Sequence, residues 1–129
     1  MSARFSATLT GLYAAMRYCA WRDPAYRAQL AERDLVAQIR TLDVDAGRWY
    51  EFNAGKVRSG SGIHPRPDVT LSYETAAVAA RLLTLPVNWQ EQINAAKNFR
   101  FKVEGPDELV YRFTQLMFAL RRVGWQFGT

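Results

Sequence analysis

The spacing of apolar residues changes period several times along the 129-residue chain, and each change marks an element. Between Thr8 and Ala20, the residues Leu9, Leu12, Tyr13, Met16 and Ala20 recur at helical spacing and predict one buried stripe. Asp23-Pro24 then reads as an N-cap and first-turn proline, opening a short helix to about Ala31 with Tyr26 and Leu30 on its inner side. From Asp34 to Leu42 the period drops to two: Leu35, Ala37, Ile39 and Thr41 alternate with Val36, Gln38 and Arg40, the pattern of a strand with one buried face. Asp43–Gly47 is turn-like. Arg48–Phe52 is an aromatic-rich strand, and Asn53-Ala54-Gly55 turns it into a partner strand, Lys56–Ser59. Prolines 65 and 67 exclude a central strand from the connection Gly60–Pro67.

In the second half, Asp68–Tyr73 alternates as a strand, with Val69, Leu71 and Tyr73 on one face. Thr75–Leu85 is helical and stops at Pro86. Asn88 with Glu91 starts a helix to about Asn98, with Trp89, Ile93 and Ala96 as its predicted inner stripe. Phe99–Val103 is the last strand. Gly105-Pro106-Asp107-Glu108 opens a helix running to about Val123, with acids at the positive end of its dipole. The predicted fold is a single α+β domain over residues 1–129. A five-stranded, mainly antiparallel sheet is covered by four to five helices, and residues 1–22 form an N-terminal helical extension.

Composition narrows the function classes. A hydrophobic fraction of 49% is that of a folded chain, and a formal charge of +5, mostly from arginine, favours anionic partners. The basic residues are scattered, which argues against nucleic acid. One cysteine, Cys19, makes no internal disulfide and fits a reducing, cytoplasmic setting. No apolar run approaches the ~20 residues that span a bilayer. Residues 1–22 hold Arg4, Arg17 and Arg22 and no acid, a composition shared by transit peptides and by a helix packed on the domain.

Candidate chemistry is sparse. His64 is the only histidine and has no ligand-type neighbour at metal spacing, so it reads as a solvated loop residue. Cys19 lies mid-helix without a visible base. Ser59-Gly60-Ser61-Gly62 lacks the GK[ST] and helix of a phosphate loop. Asp43/Asp45 and Asp107/Glu108 serve a turn and a helix start. No catalytic residue, metal or cofactor is predicted.

The last helix carries the most information. Leu109, Val110, Phe113, Leu116, Met117, Leu120 and Val123 fill one broad stripe, readable either as solid core or as the wall of a ligand cavity. Tyr111 and Phe118 lie opposite, next to Gln115 and Arg122, and Arg121 and Arg122 are the groups that would meet anionic headgroups. The N-terminal helix, a protein partner or an anionic membrane would each account for that face.

Several strings resemble the sterol carrier protein type 2 family, the sterol-binding domain, in its bacterial stand-alone form. They are DPAYRAQL (Asp23–Leu30), the hairpin Trp49–Val57, RPDVTLSYE (Arg66–Glu74), KNFRFKVEG (Lys97–Gly105) and QLM (Gln115–Met117). Together they span about Asp23 to Met117. The resemblance implies an apolar tunnel between sheet and helices, no catalysis, and binding or transfer of a sterol, fatty acyl or isoprenoid lipid, or its presentation to a partner enzyme. Carried onto this chain, the tunnel lining would be Leu82, Leu83, Ile93, Phe101, Phe113, Met117 and Leu120, with Leu116 on the same stripe. The sequence ends in Gly128-Thr129 rather than a peroxisomal tripeptide, so peroxisomal targeting has no support. Neither the ligand nor the oligomeric state follows from these residues.

Overall fold

The computed structural model describes residues 3–43, 47–83, 89–98 and 100–120. Helix α1 (Ala3–Arg22) buries Phe5, Leu9, Leu12, Met16 and Cys19, which recur at alternating steps of four and three. Tyr13 and Ala20, expected on that stripe, are half-buried at its edge. Helix α2 (Pro24–Glu32) begins as its sequence requires: the Asp23 carboxylate accepts the Ala25 and Tyr26 N–H groups at 3.0 and 3.4 Å, and Tyr26 and Leu30 are buried. Arg27 donates back to the Ala20 and Trp21 carbonyls, satisfying the end of α1.

Strands β1 (Leu35–Thr41), β2 (Gly47–Asn53), β3 (Lys56–Ser61), β4 (Val69–Tyr73) and β5 (Phe101–Glu104) form one sheet in the order β3-β2-β1-β4-β5. The β1–β4 pair is parallel and the other three pairs are antiparallel. The chain therefore leaves edge strand β3 and crosses to the far side of β1. Asp68 fixes the landing point, since its carboxylate accepts the Val36 N–H at 2.8 Å and its own N–H donates to the Val36 carbonyl at 2.8 Å. The β2–β3 turn places Ala54 and Gly55 at φ +52° and +80°, the signs a two-residue hairpin loop of matching twist demands. Gly105, after β5, is at φ +139°, and a Cβ there would sit 2.5 Å from the Asp68 carbonyl oxygen.

Register puts Leu35, Ala37 and Ile39 on the same face as Tyr50, Phe52, Val69, Leu71 and Tyr73, and all are buried. Helices α3 (Ala76–Leu82), α4 (Trp89–Lys97) and α5 (Asp107–Ala119) cover this face together with α1 and α2. The Thr75 hydroxyl caps α3 by accepting the Val78 N–H. The predicted α+β class and five strands are present. The other sheet face is not purely solvated: Gln38 is buried there, accepting the His64 N–H at 2.6 Å, and the His64 ring meets Trp49 edge-on at 5.4 Å. His64, expected as a solvated loop residue, is thus half-buried, because the connection after β3 folds back over the sheet. The predicted stop at Pro86, the Asn88 cap, Phe99 and the extension to Val123 fall outside the described residues.

Three buried phenols tie the layers. Tyr50 donates to the Leu9 carbonyl at 2.8 Å, joining β2 to α1; Tyr73 donates to Gln92; the Tyr26 hydroxyl has no hydrogen-bond partner among the described residues. Burial pushes all three well above the ordinary tyrosine value. Nearby Cys19 adds to the effect at Tyr26, whereas Arg48 opposes it at Tyr50 and the Gln92 hydrogen bond opposes it at Tyr73. A raised folded value means the folded state keeps protons that the unfolded chain loses. The associated stability is whole below pH ~10 and lost as pH climbs toward the raised values, at up to ~1.4 kcal/mol per pH unit for each phenol. Urea midpoints are expected to fall steeply above pH ~10, and Tyr26→Phe should make the fall shallower. A midpoint unchanged up to pH ~11 would contradict this account.

Candidate functional site

The decisive local feature is the rotation of α4. Periodicity turns Trp89, Ile93 and Ala96 inward; the Trp89 side chain lies outside what the structure describes, while the helix buries Gln92 and Ala95 and leaves Ile93 50% exposed and Ala96 exposed. The reason is hydrogen bonding. α3 ends at Leu82 with an orphan carbonyl, and the Gln92 amide nitrogen donates to it at 3.0 Å. The Gln92 amide oxygen accepts the Tyr73 hydroxyl at 3.2 Å. Gln92 thereby satisfies two buried polar groups, each costing about 1–3 kcal/mol if left unpaired.

With α4 so turned, a cavity of about 190 Å³ remains between β4, β5, α4 and α5. Its floor is Leu71, Tyr73, Leu83, Phe113 and Met117, all buried, with Gln92 among them. Ile93, Ala96 and Val103 form an exposed rim, with Phe101, Val110 and Thr114 half-buried. Tyr73 and Phe101 stack at 4.7 Å, which holds β5's aromatic ring against the floor. Among the described residues, no charged side chain lines the cavity.

Of the eight residues expected to share one tunnel, Leu83, Ile93, Phe101, Phe113 and Met117 line this cavity. Leu82, Leu116 and Leu120 are buried outside it. One step of roughly 100° along α5 separates Met117 from Leu116, so Leu116 points to the α2 flank. There it lines a separate groove of about 310 Å³ with Leu35, Arg33 and Tyr111. Arg112 bridges this groove, pairing with Glu32 of α2 at 2.6 Å and Glu108 at 3.6 Å. The lining also takes in Leu71, Tyr73, Gln92, Ala96, Val103, Val110 and Thr114, none of which belongs to the expected tunnel set. The alternation of β4 did place Leu71 and Tyr73 on the inner face, whereas a glutamine gives periodicity no reason to turn inward.

Tyr111 and Phe118 are 65% and 38% exposed. The N-terminal helix, one of the expected covers, packs mainly on α2, α3 and β3. Arg121 and Arg122 lie outside the described residues. Cys19 is buried, and among the described residues no cluster of three His, Cys, Asp or Glu side chains could hold a metal ion. No described helix is long and apolar enough to cross a membrane. The cavity offers mainly apolar contact, with the Gln92 amide and the Tyr73 and Thr114 hydroxyls as its polar lining groups.

No protein-family model and no curated protein sequence matches the chain. Solved structures do. A ubiquinone synthesis protein, UbiJ-SCP2, superposes with TM-score 0.59 at 16% identity, over 95% of this chain and 97% of that one. The sterol carrier protein domain 2 of Helicoverpa armigera gives 0.60 at 15% identity over 88% and 87%. A double mutant of the sec-alkyl sulfatase PisA1 gives 0.52 at 15% identity over 70% of this chain but only 14% of the enzyme's. At these identities the likeness is one of architecture, and this chain has the sterol carrier protein type 2 fold.

An apolar cavity of this size binds xenon when it is dry. Under xenon pressure, methyl resonances of Leu83 and Met117 are expected to shift while those of Leu116 stay in place. Unmoved Leu83 and Met117 signals would mean that the space is filled or inaccessible.

Proposed function

We propose that the protein is a non-catalytic carrier that takes an apolar lipid into the cavity between β4, β5, α4 and α5. One observation carries the reading: a space with a fully buried floor and no charged lining opens past half-exposed apolar side chains at its rim. Removing apolar surface from water is the driving force such a site offers, about 25 cal/mol per Å². The resemblance in fold to sterol carrier domains supports the reading. The lining residues proposed to contact the lipid are Leu83, Ile93, Phe101, Phe113 and Met117. The single thiol is consistent with work in the cytoplasm.

The neutral fluorophore Nile red tests this directly. The protein should bind it with a blue-shifted emission, and a lipid extracted from the purified protein should displace it. Ile93→Trp, a substitution at a half-exposed position, is expected to preserve the melting temperature within a few degrees and weaken the dye at least ~10-fold. Full dye affinity in that variant, or no binding by the parent protein, would refute the assignment.

A second reading, in which the carrier hands its lipid to an enzyme, rests on the exposed Tyr111 and Phe118 of α5 and on the fold shared with a ubiquinone synthesis protein. A transient contact with an anionic membrane is the competing use of that face. A photoreactive amino acid at position 111 should crosslink in cells to an enzyme of lipid or quinone metabolism. Crosslinks to phospholipid alone would favour the membrane, and none at all would remove both.

A further inference from the structure

An amide side chain has four hydrogen-bonding sites, two N–H donors and two lone pairs. At Gln92, 5% exposed, the Leu82 carbonyl and the Tyr73 hydroxyl use one of each. One donor and one acceptor remain at the floor of the cavity. Two hydroxyls also line it: that of Tyr73 donates to Gln92, and that of Thr114, half-buried, donates to the Val110 carbonyl at 2.8 Å.

Among the described residues, charge lies outside the cavity. Arg100, Lys102 and Glu74 line a neighbouring depression of about 460 Å³, which meets the cavity at Ala96, Phe101 and Val103. A carboxylate carried to the floor would lose its hydration and meet no cation there, a heavy penalty for an ion. A neutral hydroxyl or carbonyl would find the unused half of the Gln92 amide. Size points the same way. At about 190 Å³ the cavity lies below the ~300 Å³ where drug-sized pockets begin, so it holds the end of a lipid rather than the whole.

Resting on the carrier reading above, we propose that Gln92 determines specificity, admitting a neutral lipid oxygen-first and rejecting ionised carboxylates from the floor. The ligand class is an apolar molecule ending in a hydroxyl or carbonyl, its tail leaving over Ile93, Phe101 and Val103.

The test uses the full chain and three probes of equal length, 1-decanol, decane and sodium decanoate at pH 8, followed by NMR with ¹⁵N-labelled side-chain amides. Decanol should bind about 5-fold more tightly than decane, the worth of one ordinary hydrogen bond, and at least ~10-fold more tightly than decanoate. Decanol should also move the Gln92 side-chain amide pair, while decane shifts only the methyl groups of the floor. In Gln92→Leu the preference for decanol over decane should vanish. If that variant does not fold, the wild-type amide signals and affinities decide alone. No binding of any probe by the wild type would overturn the carrier reading itself. Binding with equal affinities, an unmoved Gln92 amide, or a decanol preference surviving in Gln92→Leu would overturn the specificity assignment and leave the carrier reading standing.

Discussion

The hydrogen-bonded chain Tyr73–Gln92–Leu82 joins the sheet, α4 and the end of α3, and the cavity exists because of it. If α4 rolled by one residue, about 100°, Ile93 could fill the space. That would recover part of the roughly 1.5–3 kcal/mol that fully burying an isoleucine is worth, only part because half of Ile93 is already covered. It would also strand the Leu82 carbonyl and the Tyr73 hydroxyl in a dry interior, at about 1–3 kcal/mol each. Two unpaired polar groups outweigh half an isoleucine. The helix stays turned and the space stays open.

This balance also explains what could be read in the sequence. Strands and helices were legible because their signals are local: the alternation in Leu35–Thr41, the aspartate cap before Pro24, the glycine-proline-acid start of α5. The inner face of β1 and β4 followed from their two-residue alternation. The orientation of α4 was not legible, because periodicity counts glutamine as solvent-facing, and the groups that draw Gln92 inward come from ten and nineteen residues away in sequence. The division of the α5 stripe was equally hidden. Phe113 and Met117 on one flank and Leu116 on the other are all buried, and only the positions of α2 and β5 decide which of them meets empty space.

The same reasoning accounts for a shared architecture at about 15% identity. In this chain the fold is held by a buried sheet face, a parallel β1–β4 pair anchored by Asp68, and tight turns at Gly55 and Gly105. Any sequence with the right periods and a few special backbone positions satisfies them. The residues that give this cavity its chemistry are a separate set. Gln92, Ile93 and Thr114 give the cavity most of its polar and rim character, so likeness in fold supports a carrier without identifying its occupant.

The cavity's size bears on what a carrier built this way can do. A lipid tail that leaves over Ile93, Phe101 and Val103 stays partly in contact with water, and each 100 Å² so exposed forgoes about 2.5 kcal/mol. Such a complex is weaker than one in a sealed tunnel and releases its ligand faster, since affinity differences among related complexes lie mostly in dissociation. A long-term store would be poorly served by this geometry. A protein that loads at one surface and unloads at another is served well, because the exposed tail is the part a membrane or an enzyme can grip first. Tyr111 and Phe118 on the outer side of α5 lie on the same helix whose inner side supplies Phe113 and Met117 to the cavity. A partner binding the outer side would therefore press on the wall that holds the ligand, and docking and release would be coupled through one rigid element.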